Sequence, residues 1–508
     1  MLTLALSRID VLNLAYLGAA VLFIFGLKML GRVETAAKGN AVSSIGMLVA
    51  AIATFFYLTG GTAISLLWVF PAIGLGAVAG SVMAKRVEMT QMPQMVALLN
   101  GFGGIASLLV AVADYAHRPG RIDRIYALLD LPRDILTTRP DGMEALAVRA
   151  MLENSGANSP TTMLATGLAT VIGGVTFTGS LMAFGKLQGV KWAPDQPVQL
   201  PQQKWIVFGL LALTGLLVLL LMIWPGGWPF VLLMTLIALG LGVLLVIGIG
   251  GADMPVVVAL LNSYSGVAAA MAGFVLGNYA LIITGSLVGS SGLILTNIMC
   301  KAMNRSLMNV LFGGMGAAPA AGSAGGGGAT QGTATEASAE DAAIVLEAAQ
   351  SVVVVPGYGM AVAQAQHAVK ELAAELEGKG IEVTYAIHPV AGRMPGHMNV
   401  LLAEAGVEYD VLLDLEPANA KLESADVALV IGANDVTNPA ARHDTASPLY
   451  GMPILNVDSA RTVFVIKRSL NPGFAGIQNE LYFQGNTRMV FGDAKKVVTE
   501  LAGELEQL

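Results

Sequence analysis

Ser351-Val-Val-Val-Val-Pro-Gly357-Tyr358-Gly359-Met-Ala-Val362 leads an apolar strand into a glycine turn and then a helix. Those residue types at that spacing open a dinucleotide site. The first glycine permits a tight turn, and the second lets a pyrophosphate approach the backbone near a helix N-terminus. The third position is Val362 in place of Gly or Ala, so helix and strand are expected to pack less closely. A plain strand–helix turn would look much the same, and the motif alone does not decide between them.

A second strand, expected over 381–387, ends in His388-Pro389 and lacks the acid that bonds a ribose 2′-hydroxyl in an NAD site. Lys467-Arg468-Ser469 closes a strand expected over 462–466. Two adjacent cations and a hydroxyl at a strand's C-terminal edge suit a 2′-phosphate through charge-assisted bonds. This favours NADP(H) over NAD(H); a solvated basic turn is the other reading. Gly432-Ala433-Asn434-Asp435 leaves a buried strand at the edge where ligands bind in such sheets. Asn434 and Asp435 either bond a nicotinamide or ribose there or merely close a turn. Asn471–Gly476 is expected to be a mobile loop that folds over a bound cofactor, or else an ordinary surface turn.

These segments need a scaffold. Strands are expected at 351–355, 381–387, 410–415, 427–431, 453–457 and 462–466, and helices at 360–377, 397–405 and 493–507. Alternation of this kind argues for an α/β, Rossmann-like, doubly wound parallel sheet over 341–508. What precedes it is different. The chain has 508 residues, 55% of them hydrophobic and only 12% charged, whereas a soluble domain carries about a quarter charged residues. A span needs about 20 apolar residues. Candidates lie near 11–30, 41–58, 62–83, 91–113, 160–184, 205–224, 228–249, 255–276 and 279–300. That makes an α-helical polytopic membrane domain of about nine helices over 1–312, with eight or ten remaining open.

Residues 313–340 begin as a Gly/Ala-rich stretch and are expected to be a flexible linker. About 25 such residues reach roughly 28 Å, enough for the following domain to turn over at the membrane surface. A passive tether is the alternative.

The two parts differ in charge. Residues 1–312 hold 17 Lys+Arg against 12 Asp+Glu, and the remainder 11 against 23, so the soluble part is acidic. It carries no footprint for nucleic acid. Lys and Arg collect in alternate short loops, which places the C-terminal domain in the cytoplasm. The loop 114–158, with six Arg and seven acids, lies outside on this reading. The lone Cys300 fits a reducing compartment. With neither a cleavable signal nor a transit signature expected, a bacterial inner membrane is the expected location. No metal site is expected.

Taken together, Pro356–Gln366, His388–Leu402, Ile431–Asp435, Phe464–Ser469 and Met489–Lys495 resemble the NADP(H)-binding domain of proton-translocating nicotinamide nucleotide transhydrogenase. Lys85–Met92, Gly250–Gly266 and Ser286–Ser306 resemble the membrane domain of that family's β subunit. The resemblance covers nearly the whole chain. It implies a dinucleotide in a reversed orientation, touching Tyr358 and the run Val390, Ala391, Gly392, Arg393, Met394 and Pro395. Further implied contacts are Gly432, Ala433, Asn434, Asp435 and Val436, then Gly451 and Met452. Lys467, Arg468, Ser469, Gly473 and Phe474 follow, with Asp493 and Ala494. The family often has Tyr where Phe474 stands. Asn479-Glu-Leu-Tyr-Phe-Gln-Gly485 is close to a protease recognition sequence, but its Glu is one place late, and it lies inside a resembling block; it is read as native.

In the membrane the resemblance singles out Asn262 as a polar residue of the proton path. Gly285, Gly289, Ser290, Ser291 and Gly292 belong to the coupling route, and Asp253 to the cytoplasmic mouth. Asn100 stands where the family's β subunit often has His. No His, Asp or Glu is central to an expected span, although proton paths normally need a titratable group there. An amide cannot exchange a proton near neutral pH and an imidazole can, so either a partner's membrane His faces Asn100 and Asn262 or amides and hydroxyls hold a water path. The implied function is that of a β subunit. It binds NADP(H) while one or more partner α subunits bind NAD(H), and no catalytic side chain is required because hydride passes directly between nicotinamides. Protons move inward with it, in an expected dimer of protomers. The alternative is a nucleotide-gated channel or transporter without hydride chemistry.

Overall fold

The computed structural model describes residues 8–30, 33–58, 63–88, 91–128, 143, 159–193, 197–198, 200–250, 253–312, 333–394, 396–445, 447, 449–473 and 477–508. Pro395, Phe474, residues 313–332 of the expected linker and nearly all of 129–158 lie outside the described residues.

Among the described residues, nine helices are long and apolar enough to cross a membrane. They are α1 (Arg8–Leu30), α2 (Val33–Leu58), α3 (Ala63–Arg86), α4 (Met92–Leu128), α5 (Pro160–Gln188), α6 (Gln203–Ile223), α7 (Trp228–Ile247), α8 (Met254–Leu276) and α9 (Tyr279–Ala302). The apolar part of α4 runs further than expected and ends at His117. Helix α5 is central, packing against α4, α6, α7 and α8, and α8 packs along α9. Small residues make these approaches possible. Gly104 of α4 and Gly173 of α5 face each other, as do Gly266 of α8 and Gly285 and Gly289 of α9. Within this chain the apolar window of α3 buries no residue; Phe70 meets Phe55 of α2 edge-on at 5.4 Å.

A short helix, α10 (Leu307–Phe312), follows. The second unit opens with α11 (Ala339–Glu347), whose N-terminus carries a reciprocal capping box between Ser338 and Asp341. Its elements are β1 (Ser351–Pro356), α12 (Tyr358–Val362), α13 (Gln366–Gly378), β2 (Glu382–Ala386), α14 (His397–Glu404), β3 (Leu412–Leu413), α15 (Leu415–Leu422), β4 (Val427–Ile431), α16 (Ala440–His443), β5 (Thr462–Lys467), β6 (Thr487–Phe491) and α17 (Ala494–Gln507). All six strands are parallel, in the order β3-β2-β1-β4-β5-β6. Both faces are covered, so β1 and β4 are apolar and buried from Val352 to Val355 and from Val427 to Ile431. One face packs on α11, α13 and α17 and the other on Leu422, Leu455, Leu481 and Tyr482.

Three local expectations change. Residues 453–457 form no strand: β5 already has β4 and β6 on its edges, and Leu455 N–H donates to the Val436 carbonyl at 2.9 Å. The sixth strand is instead Thr487–Phe491. The helix expected over 360–377 is broken between α12 and α13, where Gln364 takes a left-handed φ of 50°.

A Cβ on Gly266 would meet the Gly289 backbone and lie 2.8 Å from the Gly285 carbonyl oxygen. Gly266→Ala should force α8 and α9 apart, at a cost of about 1–3 kcal/mol. In detergent the variant should melt several degrees below the parent; coincident melting curves would contradict this packing.

Candidate functional site

The strand order reverses between β1 and β4, and in an open parallel sheet the crevice at such a reversal is where ligands bind. Two turns meet there. Gly357 N–H donates to the Ile431 carbonyl and Gly359 N–H to the Gly432 carbonyl, each at 2.9 Å. A Cβ on Gly359 would sit 2.7 Å from Gly432 Cα, and Gly432 has φ +66°. Any side chain would push the turns apart, which is the physical reason for glycine at both positions. Val362, the irregular third position of the motif, is 48% exposed and lines the crevice, while Met360 and Ala361 fill the core. Helix and strand therefore pack closely without it. Helix α12 is only five residues long, so its dipole is small and an anion in the crevice would depend on side chains.

The crevice consists of two adjoining cavities of about 490 and 650 Å³ that share Gly359, Gly432, Lys467, Arg468 and Pro472. Ser469, Asp493 and Ala494 line the first. Gly357, Tyr358, Val390, Ala391 and Gly392 line one side of the second, and Ala433, Asn434, Asp435, Val436, Met452 and Gly473 the other. Arg393 is beside it, its guanidinium 4.6 Å from the centre of the Tyr358 ring. Met394 is buried, and Gly451 abuts Asn304. Met303, Arg305 and Leu449 also line the second cavity. Nothing in the sequence pattern pointed to these three, apart from the basic residues beyond the last span.

Behind this lining, polar groups are held in set orientations. His388 Nδ1 accepts the Val390 N–H at 3.2 Å, so the proton is on Nε2, which donates to the Pro453 carbonyl at 2.8 Å. His397 Nδ1 accepts the Arg393 N–H at 3.0 Å. Burial holds both imidazoles near pKa 4, opposed at His388 by the Pro453 bond and reinforced at His397 by Arg393. They are neutral at pH 7. Partial burial lowers the Lys467 pKa, and Asp435 opposes that shift; its ammonium donates to the Asn471 carbonyl. Asn434 Nδ2 is buried and finds no partner among the described residues. Backbone turns without Cβ atoms, two cations and a hydroxyl at one edge, and an unsatisfied amide donor all fit a phosphorylated dinucleotide. Among the described residues no cluster of His, Cys, Asp and Glu could hold a metal.

The membrane end of the second cavity is built by the helix bundle. Arg305 Nη1 donates to both carboxylate oxygens of Asp253 at 2.7 Å. Asn304 donates to the Tyr450 carbonyl at 3.3 Å. Arg393 Nη1 donates to the Leu187 carbonyl at the end of α5 at 3.1 Å, and Gln94 of α4 donates to the same oxygen at 3.2 Å. The neighbouring Lys186 is 3% exposed and caps the end of α7 through the Ile247 and Ile249 carbonyls at 2.8 and 2.9 Å.

Within the bundle, Asn100 donates to the Val258 carbonyl of α8 at 3.3 Å. Asn262 is half-buried beside Ser263, whose hydroxyl donates to the Gly289 carbonyl at 2.6 Å. Gly285, Gly289 and Gly292 face α8, whereas Ser290 and Ser291 face away from the rest of the chain.

A family model described as NAD(P) transhydrogenase beta subunit matches residues 12–504. Two relatives from Rhodospirillum rubrum, one assigned to a particular strain, are each named NAD(P) transhydrogenase subunit beta. Each is 47% identical over 487 residues, covering 96% of this chain and 97% of its own length.

The neutral histidines give a signed pH dependence. His397 falls from 6.5 unfolded to about 4 folded, so the unfolded chain binds the extra proton in that window. Stability is full above 6.5 and is lost as pH falls toward 4. His397→Gln keeps an acceptor and cannot titrate, so stability should fall less steeply, by about 1.4 kcal/mol per pH unit. Denaturant unfolding of the whole chain in detergent between pH 6.5 and 4 checks this, and equal slopes would contradict it.

Proposed function

The chain belongs to the NAD(P) transhydrogenase beta subunit family, and from that premise we propose that it binds NADP(H) in the crevice between β1, β4 and β5. Hydride then passes between that nucleotide and NAD(H) held by a partner α subunit, with protons moving inward across a bacterial inner membrane. The observation that carries the choice of nucleotide is the edge Lys467-Arg468-Ser469, which opens onto the crevice. His388 ends β2's side of the site as a buried, neutral donor to Pro453, where an NAD site would present an acid. The bound nicotinamide supplies the hydride chemistry. The protein's part is to hold the ring at an open sheet edge where a second ring can reach it, a contribution of position more than of acid–base catalysis.

Coupling is assigned to the contact between this crevice and the bundle. Asp253 and Arg305 lie at its mouth, and Asn100, Asn262, Gly285, Gly289, Ser290, Ser291 and Gly292 lie on the path beneath. A titratable group on a partner's membrane helix completes the path, because the amides cannot exchange protons. The linker lets the cytoplasmic domain face the bundle and the NAD(H) domain in turn, and the assembly is a dimer of protomers. Nucleotide affinity and the protonation of the path then influence each other reciprocally.

The direct test reconstitutes the chain with an NAD(H)-binding subunit in liposomes and follows NADP⁺ reduction by NADH, with and without a proton gradient. Gradient-stimulated reduction is expected; a gated channel would give none. Arg468→Ala should weaken NADP⁺ binding roughly 10- to 100-fold, the loss of a charge-assisted contact, and leave NAD⁺ binding within about twofold. Equal losses for the two nucleotides would refute the assignment of the 2′-phosphate.

A further inference from the structure

Tyr482 lies outside the crevice lining and is 1% exposed, yet it touches two groups that line it. Its hydroxyl donates to Asn434 Oδ1 at 2.7 Å. Lys467 Nζ lies 5.0 Å from the centre of its ring, within cation–π range. Burial raises the phenol's pKa, with Asp435 adding to the shift, so the hydroxyl remains a proton donor throughout the physiological range.

The Asn434 backbone is already committed. Its carbonyl accepts from Asn479 Nδ2 at 2.9 Å, from Thr437 N–H at 3.0 Å and from Thr437 Oγ1 at 3.0 Å. With Oδ1 also taken by Tyr482, the amide plane is set and Nδ2 is turned the other way. That nitrogen is buried without a partner among the described residues. It points at Gly473, where an added Cβ would collide with it, and Gly473 and Asn434 line the same cavity. A buried unsatisfied donor costs about 1–3 kcal/mol, a cost relieved when an acceptor arrives from the cavity.

We propose that Tyr482 is a positioning residue for the dinucleotide, acting through two separable contacts. The hydroxyl aims the Asn434 N–H₂ at a ligand oxygen (a carbonyl, ribose hydroxyl or phosphate), and the ring face holds the Lys467 ammonium at the edge that meets the 2′-phosphate. This rests on the reading of the crevice as an NADP(H) site.

The test is calorimetric binding of NADP⁺ and of NAD⁺ to the intact chain in nanodiscs. Tyr482→Phe removes only the hydroxyl and should weaken both nucleotides alike, by about 5- to 10-fold, the worth of one hydrogen bond. In an Asn434→Ala background the same change should add nothing beyond twofold, since the hydroxyl acts through that amide. Tyr482→Leu removes the ring as well and should also shrink the NADP⁺/NAD⁺ preference, by about 3- to 10-fold. Asn434→Asp keeps the acceptor for Tyr482 but replaces the outward donor with an oxygen. It should lose NADP⁺ at least as severely as Asn434→Ala, and it stands in should Tyr482→Phe not fold. Parental affinity in Tyr482→Phe, equal losses with and without Asn434, or parental affinity in Asn434→Asp would each overturn the proposal. A parent chain that binds both nucleotides equally, or neither, would instead refute the nucleotide reading beneath it.

Discussion

Two backbone turns touch with no side chain between them, and the rest of the C-terminal unit is arranged around that contact. Gly357 and Gly359 end β1, and Gly432 and Ala433 end β4, with Gly359 and Gly432 hydrogen-bonded directly. The approach is closer than any Cβ allows. It keeps the strand ends together while the connections from β1 and β4 leave toward opposite sides, and the crevice opens where they part. Because α12 is so short, little field comes from the helix. The positive charge sits one strand further along, on Lys467 and Arg468. On the proposed function, recognition is thereby shifted from the motif's own helix to the C-terminal edge of β5, where Lys467 and Arg468 would select an extra phosphate.

The same crevice meets the helix bundle, through Met303 and Arg305 in its lining. Side chains and carbonyls at the ends of α4, α5, α7 and α9 converge there: Gln94 and Arg393 share the Leu187 carbonyl, Lys186 caps α7, and Asp253 pairs with Arg305. Lys186 is a buried cation whose partners are helix-terminal carbonyls, the favourable end of the dipole for positive charge. These bonds tie the ends of several helices to one another and to a loop beside the crevice. Below them, Asn100 bonds the α8 backbone and Ser263 bonds α9, so polar groups inside the bundle hold its helices in register. A bundle packed glycine to glycine has little room to deform gradually.

Most of the architecture was legible in the sequence because length and period carry it. Runs of about 20 apolar residues gave the nine helices, and unbroken Val-rich runs such as Val352–Val355 and Val427–Ile431 gave the buried strands. What failed depended on neighbours. Residues 453–457 look like a strand, but pairing needs a free edge, and β6 had taken it. The break at Gln364 is one left-handed residue among good helix formers, invisible to composition. Val362 seemed to weaken the nucleotide motif because the pattern was read as packing, whereas the glycines meet β4 and the valine faces the cavity. Tyr482 and Asn434 are 48 positions apart; only the closed sheet brings a hydroxyl against that amide. Where the linking segment and Phe474 lie is outside the described residues.

The central claim is where the nucleotide lies, and an experimental structure of the intact chain with NADP⁺ tests it most directly. Density should span from the Gly357–Gly359 turn, across Gly432, to Lys467–Ser469, with the extra phosphate at that last edge. Well-ordered density elsewhere on the domain, or the 2′-phosphate pointing to solvent away from Lys467 and Arg468, would contradict the account.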